Sequence, residues 1–134
     1  MIKPAVPARL FILTLVLAMI TACNPLEVRR NSHLEDSLLY YKIQMERSNF
    51  ADAARFRKPE SKWDVSGLGR FQITYYEVKA SHGSDNGNKI ERQVFLRYLD
   101  RNTMRERSTQ YNETWVYNSD SGQWLLEGDP PVFR

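Results

Sequence analysis

The sequence predicts an α+β domain: one long and one short helix packed on a curled four-stranded antiparallel sheet. Three observations carry this. Leu34, Leu38, Tyr41 and Met45 recur at i, i+4, i+7 and i+11, one stripe of an amphipathic helix. After Gly67-Leu68-Gly69 the period changes to two, with Phe71, Ile73 and Tyr75 alternating with Gln72, Thr74 and Tyr76. Short clusters rich in Gly, Asn, Asp and Ser then punctuate the rest of the chain. Helices followed by hairpin-linked strands lead to helices on one face of an antiparallel sheet.

The elements follow in order. Asn24 to Asn31 is polar, contains Pro25 and shows no period, so it reads as a tether. Ser32 with Glu35 forms a capping box that starts the long helix, and Ser48-Asn49 ends it. Phe50, Ala53, Ala54 and Arg57 place a short second helix before Pro59. The first strand runs over about 70–80, and Ser81 to Asn88 is its hairpin loop. The second spans about 89–100, with Val94, Leu96 and Tyr98 on one face and Phe95 and Leu99 on the other. Asp100-Arg101-Asn102 turns into a third strand over about 104–118, where Tyr111, Trp115 and Tyr117 share a face. Asn118 to Gly122 closes the next hairpin, with Gly122 left-handed, and Gln123 to Glu127 is the last strand. Asp129-Pro130-Pro131 opens an extended tail.

Ahead of the domain, Lys3 and Arg9 precede the apolar run Leu10 to Ile20, which ends in Ile20-Thr21-Ala22-Cys23. This is the plan of a secretory signal peptide. Such a run rises only about 16 Å as a helix, short of a hydrocarbon core of about 30 Å. The segment is therefore expected to be removed. Ile20-Thr21-Ala22-Cys23 resembles the lipobox of bacterial lipoproteins. The resemblance implies cleavage before Cys23 and acylation of its sulfur and new amine, with palmitate among the chains. Several acyl chains anchor firmly, at about 0.8 kcal/mol per buried CH2. Cys23 is the only cysteine, so no internal disulfide competes for it. Asn24, in place of aspartate after the lipidated residue, implies the outer rather than the inner membrane of a Gram-negative envelope, facing the periplasm. The expected organisation is a signal peptide over 1–22, a lipidated cysteine and tether over 23–32, and one domain over 33–134.

Removing residues 1–22 takes away Lys3 and Arg9, so the precursor's net charge of +3 falls to about +1. A nearly neutral exported domain is not expected to meet nucleic acid. The clusters Arg29-Arg30, Arg55-Arg57-Lys58 and Arg101-Arg105-Arg107 read as solvated faces.

The domain resembles the cystatin-like, or nuclear transport factor 2-like, α+β cone. The resemblance rests on Tyr40-Tyr41, Asn49-Phe50-Ala51-Asp52-Ala53-Ala54, Trp63 ahead of Leu68-Gly69, Glu113-Thr114-Trp115 and Gly122-Gln123-Trp124. It implies a fold and not a function, because such cones host isomerases, dehydratases, transport adaptors and assembly domains.

Two histidines, His33 by the tether and His82 in a glycine-rich loop, do not suggest a metal site. No Gly-x-Ser-x-Gly elbow, phosphate loop or free thiol suggests nucleophilic or cofactor chemistry, and no cofactor is expected. Acid–base chemistry of the ketosteroid isomerase kind needs a carboxylate and a tyrosine in an apolar pocket. Asp52, Glu77, Glu106 or Glu113 could supply the first and Tyr75, Tyr98 or Tyr111 the second, although no spacing selects a pair. Sheet-surface charges account for the same residues. Apolar residues on both strand parities mean either that curl and tail wrap the second set or that an aromatic patch receives a partner. The expected function is a membrane-anchored, non-catalytic module that binds a protein partner, with Tyr76, Tyr111, Trp115 and Tyr117 as its candidate surface. The alternative is a small-ligand binder or acid–base enzyme using the cone cavity.

Overall fold

A computed structural model describes residues 24–134; the expected signal peptide and Cys23 lie outside the described residues. The described chain forms helix α1 (Pro25–Glu46), helix α2 (Phe50–Ala54) and strands β1 (Phe71–Ser84), β2 (Lys89–Asp100), β3 (Arg105–Asn118) and β4 (Gln123–Glu127). Single 3-10 turns at Pro59–Ser61 and Leu68–Arg70 bridge α2 to β1. The sheet has the order β1-β2-β3-β4, every pair antiparallel, and is curled but not closed. Contacts divide the chain into two units, residues 1–32 and 33–134, and the sheet, α2 and the core belong to the second. No helix of the described residues is long and apolar enough to cross a membrane.

Helix α1 begins earlier than the capping box predicts. Asn24 caps it: its side-chain oxygen accepts from the Leu26 N–H (3.2 Å), and its carbonyl accepts from Glu27 and Val28 (3.1 and 3.2 Å). Pro25 then sits at the first helical position, where its fixed φ fits and no N–H is missed. Asn31 and Ser32 are therefore helical, and the stretch taken for an irregular tether is a helical turn or two. The far end closes as a Schellman motif: Asn49 N–H donates to the Gln44 carbonyl (2.8 Å) and Ser48 N–H to Met45 (2.9 Å), with Ser48 left-handed at φ 59°. Ser48 Oγ then accepts from the Ile73 N–H at 2.8 Å, fastening the helix end to the edge of the sheet.

The core is one cluster. Tyr41 and Met45 from α1, Phe50 and Ala53 from α2, and Trp63 meet Phe71, Ile73, Tyr76, Val94, Leu96, Tyr98, Trp115, Trp124 and Leu126 from the strands. Leu34 and Leu38 extend the helical stripe at its margin. Tyr41 packs edge-on to Trp115, with ring centroids 5.3 Å apart.

Strand β1 departs from simple alternation. Its register on β2 slips between Ile73 and Tyr75 and again between Val78 and Ala80. The extra residue after Ile73 reverses the parity, so Phe71 and Ile73 face inward, Tyr75 faces outward and Tyr76 returns inward. Apolar residues on both parities of β1 thus largely share one face. Outside, Tyr75 and Phe95 make an edge contact at 6.3 Å, capped by Arg97 over Tyr75 and Lys79 over Phe95. The loop expected from Ser81 is shorter: Ser81 to Ser84 pair with Arg92 to Lys89, and the turn is only residues 85–88. The segment after α2 covers the outer edge of β4, where Leu126 N–H donates to Phe56 (2.7 Å) and its carbonyl accepts from Lys58 (2.8 Å).

Candidate functional site

Two places concentrate polar chemistry. The first lies inside the fold. Glu113 of β3 is 1% exposed, and its inward position follows from sharing β3 parity with Trp115. Tyr76 Oη and Tyr111 Oη each donate to its Oε1 at 2.7 Å, and Trp115 Nε1 donates to Oε2 at 3.1 Å. Arg92, its cross-strand neighbour on β2, is 7% exposed and places Nε 3.5 Å from Oε2. Arg92 Nη2 also donates to Tyr76 Oη at 3.2 Å.

Proton counting orders the rest. Tyr111 has one hydroxyl proton and gives it to Glu113, so in the 3.3 Å contact between Tyr41 and Tyr111 the donor is Tyr41. The network is directed: Tyr41 to Tyr111 to Glu113, met from the other side by Arg92 and Tyr76. Burial, followed by the nearby Glu113 charge, pushes the Tyr41 and Tyr76 hydroxyls well above the ordinary tyrosine range. The Tyr111 hydroxyl is raised too, by burial first and then by Tyr41 and Glu113. Arg57, buried where α2 exits, is pulled down by desolvation. Its Nη1 donates to the Gly128 carbonyl at 2.8 Å, tying that exit to the end of β4.

This network corrects the sequence reading in two ways. Tyr76 and Trp115, expected on an interaction surface, are core side chains, and Tyr111 and Tyr117 are half-buried against that core. Glu113, counted among sheet-surface charges, is inside. The other candidates stay apart from it. Glu77 lies on the outer face with Lys79 (2.7 Å) and Tyr75 (2.9 Å), and Glu106 accepts from Thr74 at 3.3 Å. Tyr98 Oη meets the Arg134 backbone. Of the proposed acid–base partners the fold brings together one pair, Tyr111 and Glu113. Its carboxylate already receives three hydrogen bonds and a guanidinium, and at 1% exposure a substrate proton does not reach it in this conformation.

The second place is an open cleft of about 590 Å3 between α1, the α2 exit and β4. His33, Asp36, Ser37 and Tyr40 line one wall, spaced i, i+3, i+4 and i+7 so that they form a single stripe of α1. Asp52, Arg55 and Phe56 form the second wall, and residues 121–125 the third. Tyr40 is 51% exposed and its ring lies 5.7 Å from that of Phe56. Arg55 Nε is 3.6 Å from Asp52 Oδ1, whereas Asp36 has no ion pair among the described residues. His33 Nδ1 reaches the Gly122 carbonyl at 3.4 Å and closes one end. Gly122 is left-handed at φ 67°, as the hairpin sequence predicts.

The sequence reading missed this stripe because it followed the apolar period of α1 and treated the adjacent face as solvated. The available signal was an aromatic, Tyr40, on the polar side of an amphipathic helix. Among the described residues no group of three His, Cys, Asp or Glu side chains could hold a metal ion. No family model, no curated protein and no solved structure matches the chain.

Proposed function

We propose that this protein is a lipoprotein of the Gram-negative envelope, anchored through acylated Cys23, whose α+β unit is a non-catalytic binding module with a cystatin-like fold. The supporting observation is the cleft: half-exposed Tyr40 against Phe56, flanked by an unpaired carboxylate and an exposed ion pair. A rigid aromatic beside polar groups suits partner recognition. The binding surface is accordingly assigned to α1, α2 and β4 rather than to the strand aromatics. The anchor reading rests on the Ile20-Thr21-Ala22-Cys23 sequence.

Both halves can be tested in intact cells. Radiolabelled palmitate should enter the wild type and not Cys23→Ser, and a wholly soluble wild type with an intact thiol would reject the anchor. Chemical crosslinking should trap a specific partner that Tyr40→Ala and Asp36→Ala lose and Tyr75→Ala keeps. A partner retained by both cleft variants would reject the cleft.

A further inference from the structure

The hairpin between β2 and β3 joins features that neither the cleft nor the core explains. Arg101, Arg105 and Arg107 are all exposed, and none has an ion pair among the described residues. Between them Met104 is 71% exposed, the backbone holding it at φ 55°. Left-handed backbone is unfavourable for a residue without a short polar side chain, so the turn maintains an apolar apex against its own local preference. Nearby acids do not neutralise the cations. Asp100 is buried, 3.9 Å from Arg70, and Glu106 alternates to the opposite sheet face from Arg105 and Arg107, where it accepts from Thr74.

We propose that this tip docks on an anionic phospholipid surface, the arginines meeting headgroup phosphates while Met104 enters the interface. Free phosphate would engage the arginines but gain nothing from Met104; a lipid interface uses both. The proposal is independent of the Cys23 anchor and of the cleft. Strand β3 spans about 45 Å, with this tip at one end and the turn carrying Gly122, which His33 touches, at the other. The tip therefore offers a second membrane contact, remote from residue 33.

The test uses the full chain carrying Cys23→Ser, co-sedimented with vesicles of phosphatidylcholine alone or mixed with phosphatidylglycerol. The apolar run and the other basic residues are common to every variant, so differences between variants isolate the tip. Neutralising R101Q, R105Q and R107Q together should weaken binding to the anionic vesicles about 100-fold, roughly fivefold per charge, with little change on neutral ones. Met104→Asn, which suits the left-handed backbone, should weaken it roughly tenfold. Added salt should weaken wild-type binding more than that of the triple variant. Unchanged binding in the triple variant at an unchanged melting temperature overturns the proposal. So does Met104→Asn binding like wild type while inorganic phosphate displaces the protein, which would make the tip a free-anion site.

Discussion

At the scale of single residues, Glu113 is where sequence and energetics meet most sharply. Removing its charge leaves Arg92 buried without its counter-ion, and whichever oxygen a glutamine amide nitrogen replaces, it turns a donor toward two donors. Breaking one member of a buried charged pair costs about 3–5 kcal/mol. Glu113→Gln should therefore lower the unfolding free energy by that amount in a urea titration, whereas Tyr41→Phe, which removes one peripheral hydrogen bond, should cost about 1 kcal/mol. The raised tyrosine hydroxyls give a pH signature. Their folded pKa lies above the unfolded value near 10, so the stability they contribute is complete below about pH 10 and is lost as pH rises beyond it. Titration by phenolate absorbance should show Tyr41, Tyr76 and Tyr111 ionising only as the fold is lost, and the triple Tyr→Phe variant should flatten that alkaline limb. Early, fully reversible ionisation of all seven tyrosines would contradict the buried network.

Elements were legible in the sequence to the extent that a local rule governed them. The limits of β2 and β4 follow from turn chemistry on either side, and both match. Helix α1 begins earlier than the sequence predicts because Ser32 and Glu35 compose a capping box, while Asn24-Pro25 composes a cap and first-turn proline eight residues earlier. Two valid local signals competed, and sequence alone does not rank them. The bulge after Ile73 is different in kind, since nothing in Thr74 announces an unpaired residue. Only the tertiary demand that Ile73 and Tyr76 both reach the core selects it. The same demand carries Tyr76 into the core, whereas Glu113 and Trp115 lie on a regular stretch of β3, whose alternation puts them on one face without saying which face meets the helices. Ser48 supplies an element-scale prediction because it performs two tasks, a left-handed helix cap and a hydrogen bond to β1. Ser48→Ala loses the side-chain bond to Ile73 and keeps a left-handed backbone without a polar side chain, and should cost about 1–2 kcal/mol, while Ser48→Gly loses the same bond but relieves the backbone and should cost less. Paired denaturant melts check this, and a glycine variant no better than alanine would show that the cap carries no strain.

On the scale of the whole molecule, the second unit separates its structural polar chemistry from its accessible polar chemistry. Glu113 and Arg92 are enclosed by rings from α1, β1 and β3, while Tyr40, Asp36 and Arg55 open on the cleft at the His33 end. The cationic tip stands at the other end of β3. The cleft stripe and the tip belong to no shared network, so their energies should be additive and their effects separable. Tyr40→Ala removes a ring that is half in water and should shift the melting temperature by no more than about 2 °C, as exposed substitutions do. It should abolish crosslinking to the cleft partner while leaving vesicle binding at the wild-type level. The triple arginine variant should do the reverse. If Tyr40→Ala instead weakens vesicle binding as strongly as the arginine changes do, the two surfaces act as one and the division drawn along β3 is wrong. If it unfolds the protein, Tyr40 is a supporting member of the Phe56–Tyr41–Trp115 stack, and the cleft is the outer wall of the core rather than a place where anything binds.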